Sequence, residues 1–333
     1  MPNRERPDTT ALPSLLPRGT RSARRRIPAA VAGALCAALL ASGCGPGEDA
    51  GKGPGASGKD PSGLLTALAH AAPRDGAGET VAFMNSAEFR KLSEAHPEWF
   101  GFTDPLGSPA LHPQFREPED MGIGTEDVEL SLALGDMTGL LLGSFDAERV
   151  TTTLKADGYR ESEQDGRTVL AEPDEKGPAP HLVWEVSDRG IAYGARPDRL
   201  EQVGAEPGGS LADDPGHQWL ADCLGKVYRV DITRRGDDET VPLIGIGQAA
   251  GDPGKTSGVI CAPTEDERTA ERAAKELEEV VGEKGDRYRG SEVTVLRGDR
   301  PGVKVTVPDR PEHRRAGRLL TKDLDLVIAL GGL

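Results

Sequence analysis

The chain has 333 residues, 36% hydrophobic and 29% charged, so it can bury a sizeable core and wholesale disorder is excluded. Lys and Arg number 40 against 55 Asp and Glu, a net charge of −15; such a surface repels phosphate backbones, which argues against nucleic-acid binding. Aromatic residues make up 4%, which leaves the core mainly to Leu, Val, Ile and Ala.

Residues 21–26 read Arg-Ser-Ala-Arg-Arg-Arg, followed by an apolar run from Ile27 to Ser42 and the sequence Leu40-Ala41-Ser42-Gly43-Cys44. The run is shorter than the ~20 residues a membrane span needs. A cationic segment, a short apolar segment and a small-residue site in that order form a secretory signal. The cysteine directly after Ala-Ser-Gly resembles the lipobox of bacterial lipoproteins, with Ala41 where a bulkier Leu is usual and Leu40 one place earlier. The resemblance covers about residues 21–44. It implies removal of residues 1–43 as a signal peptide, diacylglyceryl transfer to Cys44, and attachment to the extracytoplasmic face of the cell membrane. An uncleaved anchor is the alternative, and it also leaves the bulk of the chain outside. The arginine triplet leaves both Sec and twin-arginine export open. Residues 44–61 read as a flexible tether with no Leu, Ile, Val, Met or aromatic residue; its sixteen residues 45–60 span roughly 20 Å root-mean-square. Residues 1–43 hold seven Arg and two acids, so the remainder carries a net charge of −20. Abundant Ala, Gly, Arg, Asp and Pro suggests a GC-rich genome of the actinobacterial kind; the body of the chain resembles actinobacterial lipoproteins in its general look, which implies location rather than activity.

From Ser62 the pattern is globular. Ser62 is placed to cap a short helix carrying Leu64, Leu65 and Leu68; Thr80–Met84 reads as a strand and Ser86–Glu94 as a helix. A Pro- and Gly-rich loop from His96 to Ile123 follows, and loops of that length are often functional. Val128, Leu130, Leu132 and Leu134 alternate with other residues at the period of a half-buried strand, and Leu140–Leu142 continues as a second, more buried strand. Asp146 is an N-cap for a helix carrying Val150 and Leu154, closed by Gly158. Arg167–Leu170, Leu182–Val186 and Gly190–Ala195 are strands, and Asp198–Val203 is a short helix.

Residues 209–333 repeat the plan of residues 62–208. Tyr228, Val230 and Ile232 alternate with polar residues, and Val241–Ile246 and Val259–Cys261 are further strands. Thr264-Glu265-Asp266-Glu267 reads as a capping box, opening a helix whose apolar face is Ala270, Ala273, Ala274, Leu277, Val280 and Val281 and which Gly282 ends. Val293–Leu296 and Val303, Val305 and Val307 are strands; the basic segment Arg314–Leu320 is a closing helix. The expected class is α+β: two similar units of antiparallel sheet with helices on one face, related by internal duplication.

Four cysteines occur. With Cys36 in the signal and Cys44 lipidated, Cys223 and Cys261 remain, a pair that in an oxidising envelope is most often one disulfide; a metal site and two free thiols are the alternatives. No His lies at a short spacing that would complete a two-cysteine zinc site.

Residues Ala249 to Thr256 match a loosened nucleotide-binding loop. That loop needs a helix after it to hold phosphate, whereas here it leads to the strand at Val259, so a hairpin turn is the expectation. No Ser has Lys three residues later and no Gly-x-Ser-x-Gly occurs, which argues against serine hydrolase chemistry. The six histidines form no metal-type pair, and the acidic runs Glu117–Asp120 and Asp237–Glu239 lack the layout of an EF-hand loop. No cofactor or metal is expected. Trp99, Phe100 and Phe102 fall within four positions of a chain holding 3 Trp, 4 Tyr and 6 Phe; they either plug the open end of a sheet or form a recognition patch.

The leading expectation is a lipid-anchored, non-catalytic binding or interaction protein of the cell envelope, held to the membrane by its N-terminal lipid, with the loop from His96 to Ile123 as its surface and an envelope protein or an apolar ligand as its partner. The alternatives are an envelope hydrolase using a carboxylate pair and a carrier of an apolar ligand between sheet and helices.

Overall fold

The computed structural model describes residues 62–73, 79–100, 106–112, 117–135, 137–164, 166–171, 182–204, 209–236, 239–310, 312 and 315–332. The expected signal, Cys44 and the expected tether lie outside the described residues.

The elements of the first part are α1 (Leu64–Leu68), β1 (Thr80–Asn85), α2 (Ser86–Ala95), α3 (Pro97–Phe100), β2 (Val128–Leu134), β3 (Thr138–Gly143), α4 (Ala147–Ala156), β4 (Arg160–Gln164), β5 (Arg167–Ala171), β6 (Val183–Val186), β7 (Gly190–Gly194) and α5 (Pro197–Leu200). The second part holds α6 (Pro215–Leu224), β8 (Val227–Arg234), β9 (Leu243–Ala249), β10 (Ser257–Pro263), α7 (Glu267–Lys284), β11 (Glu292–Leu296), β12 (Gly302–Pro308), α8 (Arg318–Thr321) and α9 (Asp325–Gly331). All strands form one twelve-stranded sheet in the order β11-β12-β10-β9-β8-β1-β2-β3-β7-β6-β5-β4, antiparallel at every step. The two parts meet at β1 and β8, where Thr80 pairs with Thr233 and Met84 with Arg229.

Helices cover both faces of this sheet, not one. The cause lies in the strands, several of which are apolar on alternate and intervening residues alike. In β10, Val259 and Cys261 join the cluster containing Leu220 and Leu224 of α6, while Ile260 and Ala262 join that containing Ala273, Ala274 and Leu277 of α7. In β3, Leu140 faces the α1–α6 side and Leu141 packs with Val150 and Leu154 of α4. Each such leucine removed from water stabilises the fold by roughly 2 kcal/mol.

Local signals set most boundaries. Asp146 caps α4 by accepting from the Arg149 N–H at 2.9 Å, and Gly158, with φ 100°, ends it. Several boundaries differ from expectation: α5 is Pro197–Leu200 where Asp198–Val203 was expected, and β9 is Leu243–Ala249 where Val241–Ile246 was expected. The cap of α7 is Asp266, which accepts from the Thr269 N–H at 2.7 Å; the Thr264 N–H is held by the Pro301 carbonyl, so the sheet claims Thr264 before the helix begins. Gly282 has open space where a side chain would be, and α7 runs through it to Lys284. Among the described residues of the basic segment Arg314–Leu320, only Arg318–Leu320 are helical, as the start of α8; the Gly317 N–H before them is engaged by the Gln248 side chain, and α9 follows. The sequence signals also missed β4, whose residues Arg160 to Gln164 carry no apolar side chain; its charges suit an outer edge strand.

Candidate functional site

The long loop is not bare connection. Helix α2 starts at Asn85, whose side chain accepts from the Glu88 N–H at 2.9 Å, and leads into α3, where the His96 carbonyl accepts from the Trp99 and Phe100 N–H groups. That turn drives Phe100 into an aromatic cluster with Phe89 and Tyr228 of β8. Ring centroids lie 5.8 Å apart for Phe89–Tyr228, and 5.9 Å for Phe100–Tyr228, edge to face. Such pairs add roughly 1 kcal/mol each beyond burial. Trp99 packs on the same cluster and is 6% exposed. Of the three aromatic residues singled out in the sequence, Phe100 is core, Trp99 lies at the boundary between core and cleft, and Phe102 falls outside the described residues.

Beside this cluster lies a cleft of about 490 Å³. One wall is Trp99 with Gly107, Ser108, Pro109 and His112 of the loop; the floor is Tyr228 and Arg229; the opposite wall runs from Arg315 to Lys322. A neighbouring cavity of about 310 Å³ shares Arg315 and Lys322 and adds Arg318. No described carboxylate lines either cavity.

Buried contacts hold each wall. The Ser108 and Tyr193 hydroxyls are 2.6 Å apart, which fastens the loop to β7. The opposite wall is held by Asp309, 4% exposed, whose Oδ2 accepts from Gln248 Nε2 at 2.6 Å and Thr256 Oγ1 at 2.7 Å; Gln248 Oε1 in turn accepts from the Gly317 N–H at 2.9 Å. Leu319 of α8 presses on β10 at Gly258, where a Cβ would come within 2.5 Å of it. Burial pushes the Tyr228 hydroxyl far above the ordinary phenol range, with the Asp309 charge adding to the rise and Arg229 opposing it. Burial likewise raises the Asp231 carboxyl, against the pull of Arg229 3.5 Å away.

A second cavity, about 590 Å³, is polar and of mixed charge, lined by Asp214, Glu239, Glu265 and Asp299 together with Arg234 and Arg300. Asp214 Oδ1 accepts from the Gly216 and His217 N–H groups at 2.8 and 2.9 Å and lies 3.0 Å from His217 Nδ1. The hydrogen bond to the His217 side chain holds the Asp214 carboxyl well below the usual range, despite the opposing effect of burial. A third, about 260 Å³, lies on the sheet among Leu140, Leu142, Ala192 and Val203, rimmed by His70, Arg167 and Glu185.

The Sγ atoms of Cys223 in α6 and Cys261 in β10 are at disulfide distance, 1.98 Å, and both residues are buried. The stretch resembling a nucleotide loop is a hairpin between β9 and β10, closed by the Lys255 N–H donating to the Asp252 carbonyl. Glu119 and Asp120 sit on a short 3₁₀ turn, Pro118–Met121. No group of three or more potential metal ligands occurs among the described residues.

The sequence reading did not single out Tyr228, Arg229, Arg315 or Lys322. A partial signal existed in the basic character of 314–320, but nothing local placed it opposite Trp99. No family model, curated protein or solved structure matches the chain.

Proposed function

We propose that this chain is a lipoprotein anchored through Cys44 to the outer face of the cell membrane, and that it works by binding rather than by catalysis. The cleft between the 106–112 loop and the 315–322 segment is the binding site. The observation that carries this reading is that three segments far apart in the chain converge on one concave surface, two of them fastened from behind by buried polar contacts. A volume of about 490 Å³ falls within the range of small-molecule sites. The test places a photo-crosslinking residue at Thr321, on the cleft rim, and a control at Asp222, exposed on α6. In living cells, adducts from Thr321 and none from Asp222 support the reading; equal yields from both refute it. For the address, Cys44→Ala should shift the protein from the membrane fraction to the secreted soluble fraction, and unchanged membrane association would remove the anchor.

The hydrolase reading has one observation in its favour, the carboxylates that line the mixed-charge cavity. Asp214 is unsuited to proton donation there, since its carboxyl stays ionised. The carrier reading rests on the sheet-face cavity, whose volume of about 260 Å³ is below the usual range for ligand sites.

The internal duplication is proposed on topology. Each half opens with a helix (α1, α6) leading to a central strand (β1, β8), then steps outward through two strands (β2–β3, β9–β10). Each then crosses a helix (α4, α7) and returns so that its last strand (β7, β12) lies against the third. The first half carries an additional hairpin, β4–β5, at its edge. The antiparallel β1–β8 pairing suits a two-fold relation between halves 62–208 and 209–333.

A further inference from the structure

We infer that the cleft at Trp99 and Tyr228 is a receptor for a small organic anion, a phosphate or carboxylate group carried on a ring or apolar flank. The inference deepens the binding reading above and rests on it. Its first ground is charge. In a chain of net charge −15, the paired cavities are lined by Arg229, Arg315, Arg318 and Lys322 and by no described Asp or Glu. The larger cavity across the molecule mixes both signs, so among the described residues the two sites differ in charge.

These cations differ in availability. Arg318 is ion-paired with Asp323, and Arg229 shares its charge with Asp231 at 3.5 Å. Lys322 is exposed and has no ion pair among the described residues. Arg315 is also exposed and stands at the junction of the two cavities, but it has an interaction of its own, so Lys322 is the more available of the two. Guanidinium groups match the two oxygens of a carboxylate or phosphate, and an ammonium adds a mobile charge. Asp309 lies behind Tyr228, but its carboxylate is buried and accepts from Gln248 and Thr256.

The second ground is the apolar component. Trp99, Pro109, Tyr228, Ala316 and Leu320 line the same cleft, which is more apolar surface than a bare inorganic ion would use. The Trp99 indole N–H is buried without a hydrogen-bond partner among the described residues, so it is the ring of Trp99 and not this donor that the cleft offers to a ligand. A cationic rim over an aromatic floor selects ligands having both a charge and a flank, and disfavours those having only one.

The experiment titrates the detergent-solubilised full-length protein with three probes by calorimetry: phenyl phosphate, inorganic phosphate and benzyl alcohol. Phenyl phosphate should bind saturably, at least ten-fold tighter than either of the others. Lys322→Glu and Arg315→Glu should each weaken it about ten-fold with unchanged far-UV circular dichroism. Lys275→Glu, a charge reversal on the exposed face of α7, should leave it unchanged. Inorganic phosphate binding as tightly as phenyl phosphate would overturn the requirement for a flank. Benzyl alcohol binding as tightly, with no response to the cleft variants, would overturn the anion assignment. Absence of binding by every probe would overturn the inference, and the Thr321 crosslinking result would then decide the broader reading by itself.

Discussion

Ser108 Oγ and Tyr193 Oη lie 2.6 Å apart in the interior, so the loop that walls the cleft is fastened to the first half of the sheet by a pair of hydroxyls. The bond exists because β3 leaves room for it. A Cβ at Gly139 would stand 2.2 Å from Tyr193 Oη and 2.4 Å from the Leu132 carbonyl. Gly139→Ala should therefore displace the tyrosine and cost about 2–3 kcal/mol by the usual scale of overpacking. Tyr193→Phe should cost only about 1–2 kcal/mol, the scale of a hydroxyl left without its partner. Urea unfolding of both variants checks the order, and a smaller loss for Gly139→Ala would contradict it.

On the opposite wall, Asp309 accepts from two buried side chains. Asp309→Ala would leave Gln248 Nε2 and Thr256 Oγ1 without their acceptor and should destabilise the fold by about 3 kcal/mol. Gln248→Ala should loosen Gly317 as well, since its Oε1 accepts from that N–H. Faster amide hydrogen exchange across 317–322 in this variant, with 147–156 unchanged, is the expected pattern; uniform protection would show that the wall is held by other means.

Cys223 and Cys261 are 38 positions apart in sequence. Closing a loop of that length restricts the unfolded chain, and replacing both residues by Ser should cost roughly 3–4 kcal/mol in the chain-entropy view. Mass spectrometry of the non-reduced protein should show two hydrogens fewer than the reduced form. Free alkylation of both thiols in the native protein would eliminate the staple.

Asp214 gives the molecule an acid-side dependence. Its folded carboxyl sits far below the ordinary value of 3.8, chiefly through the His217 hydrogen bond. Above that ordinary value the group is charged in folded and unfolded chains alike, and its contribution to stability is complete. As pH falls below it, the unfolded chain takes up a proton first and the contribution drains away. Asp214→Asn should therefore be less stable than the natural protein at pH 7, with the gap narrowing between about pH 4 and pH 2. Thermal unfolding across that range tests it, and a gap that widens on acidification would reverse the assignment.

Much of the architecture was legible because its signals are local. The alternation from Val128 to Leu134, the Asp146 cap with Gly158 closing its helix, and the apolar face of Ala270, Ala273, Ala274 and Leu277 each depend on residues within a few turns of one another. The apolar run Leu140–Leu142 read as a more buried strand, although helices on one face were expected. Only the tertiary structure decided that β1 would pair with β8 and merge two halves into one sheet. It alone also brought Trp99, Tyr228 and Lys322 to the same cleft. Strand order and site assembly depend on contacts between residues far apart in the chain, and these leave no trace in the spacing of near neighbours. The lipobox-like segment stands at the other extreme, since its resemblance is read from a short linear stretch without any fold.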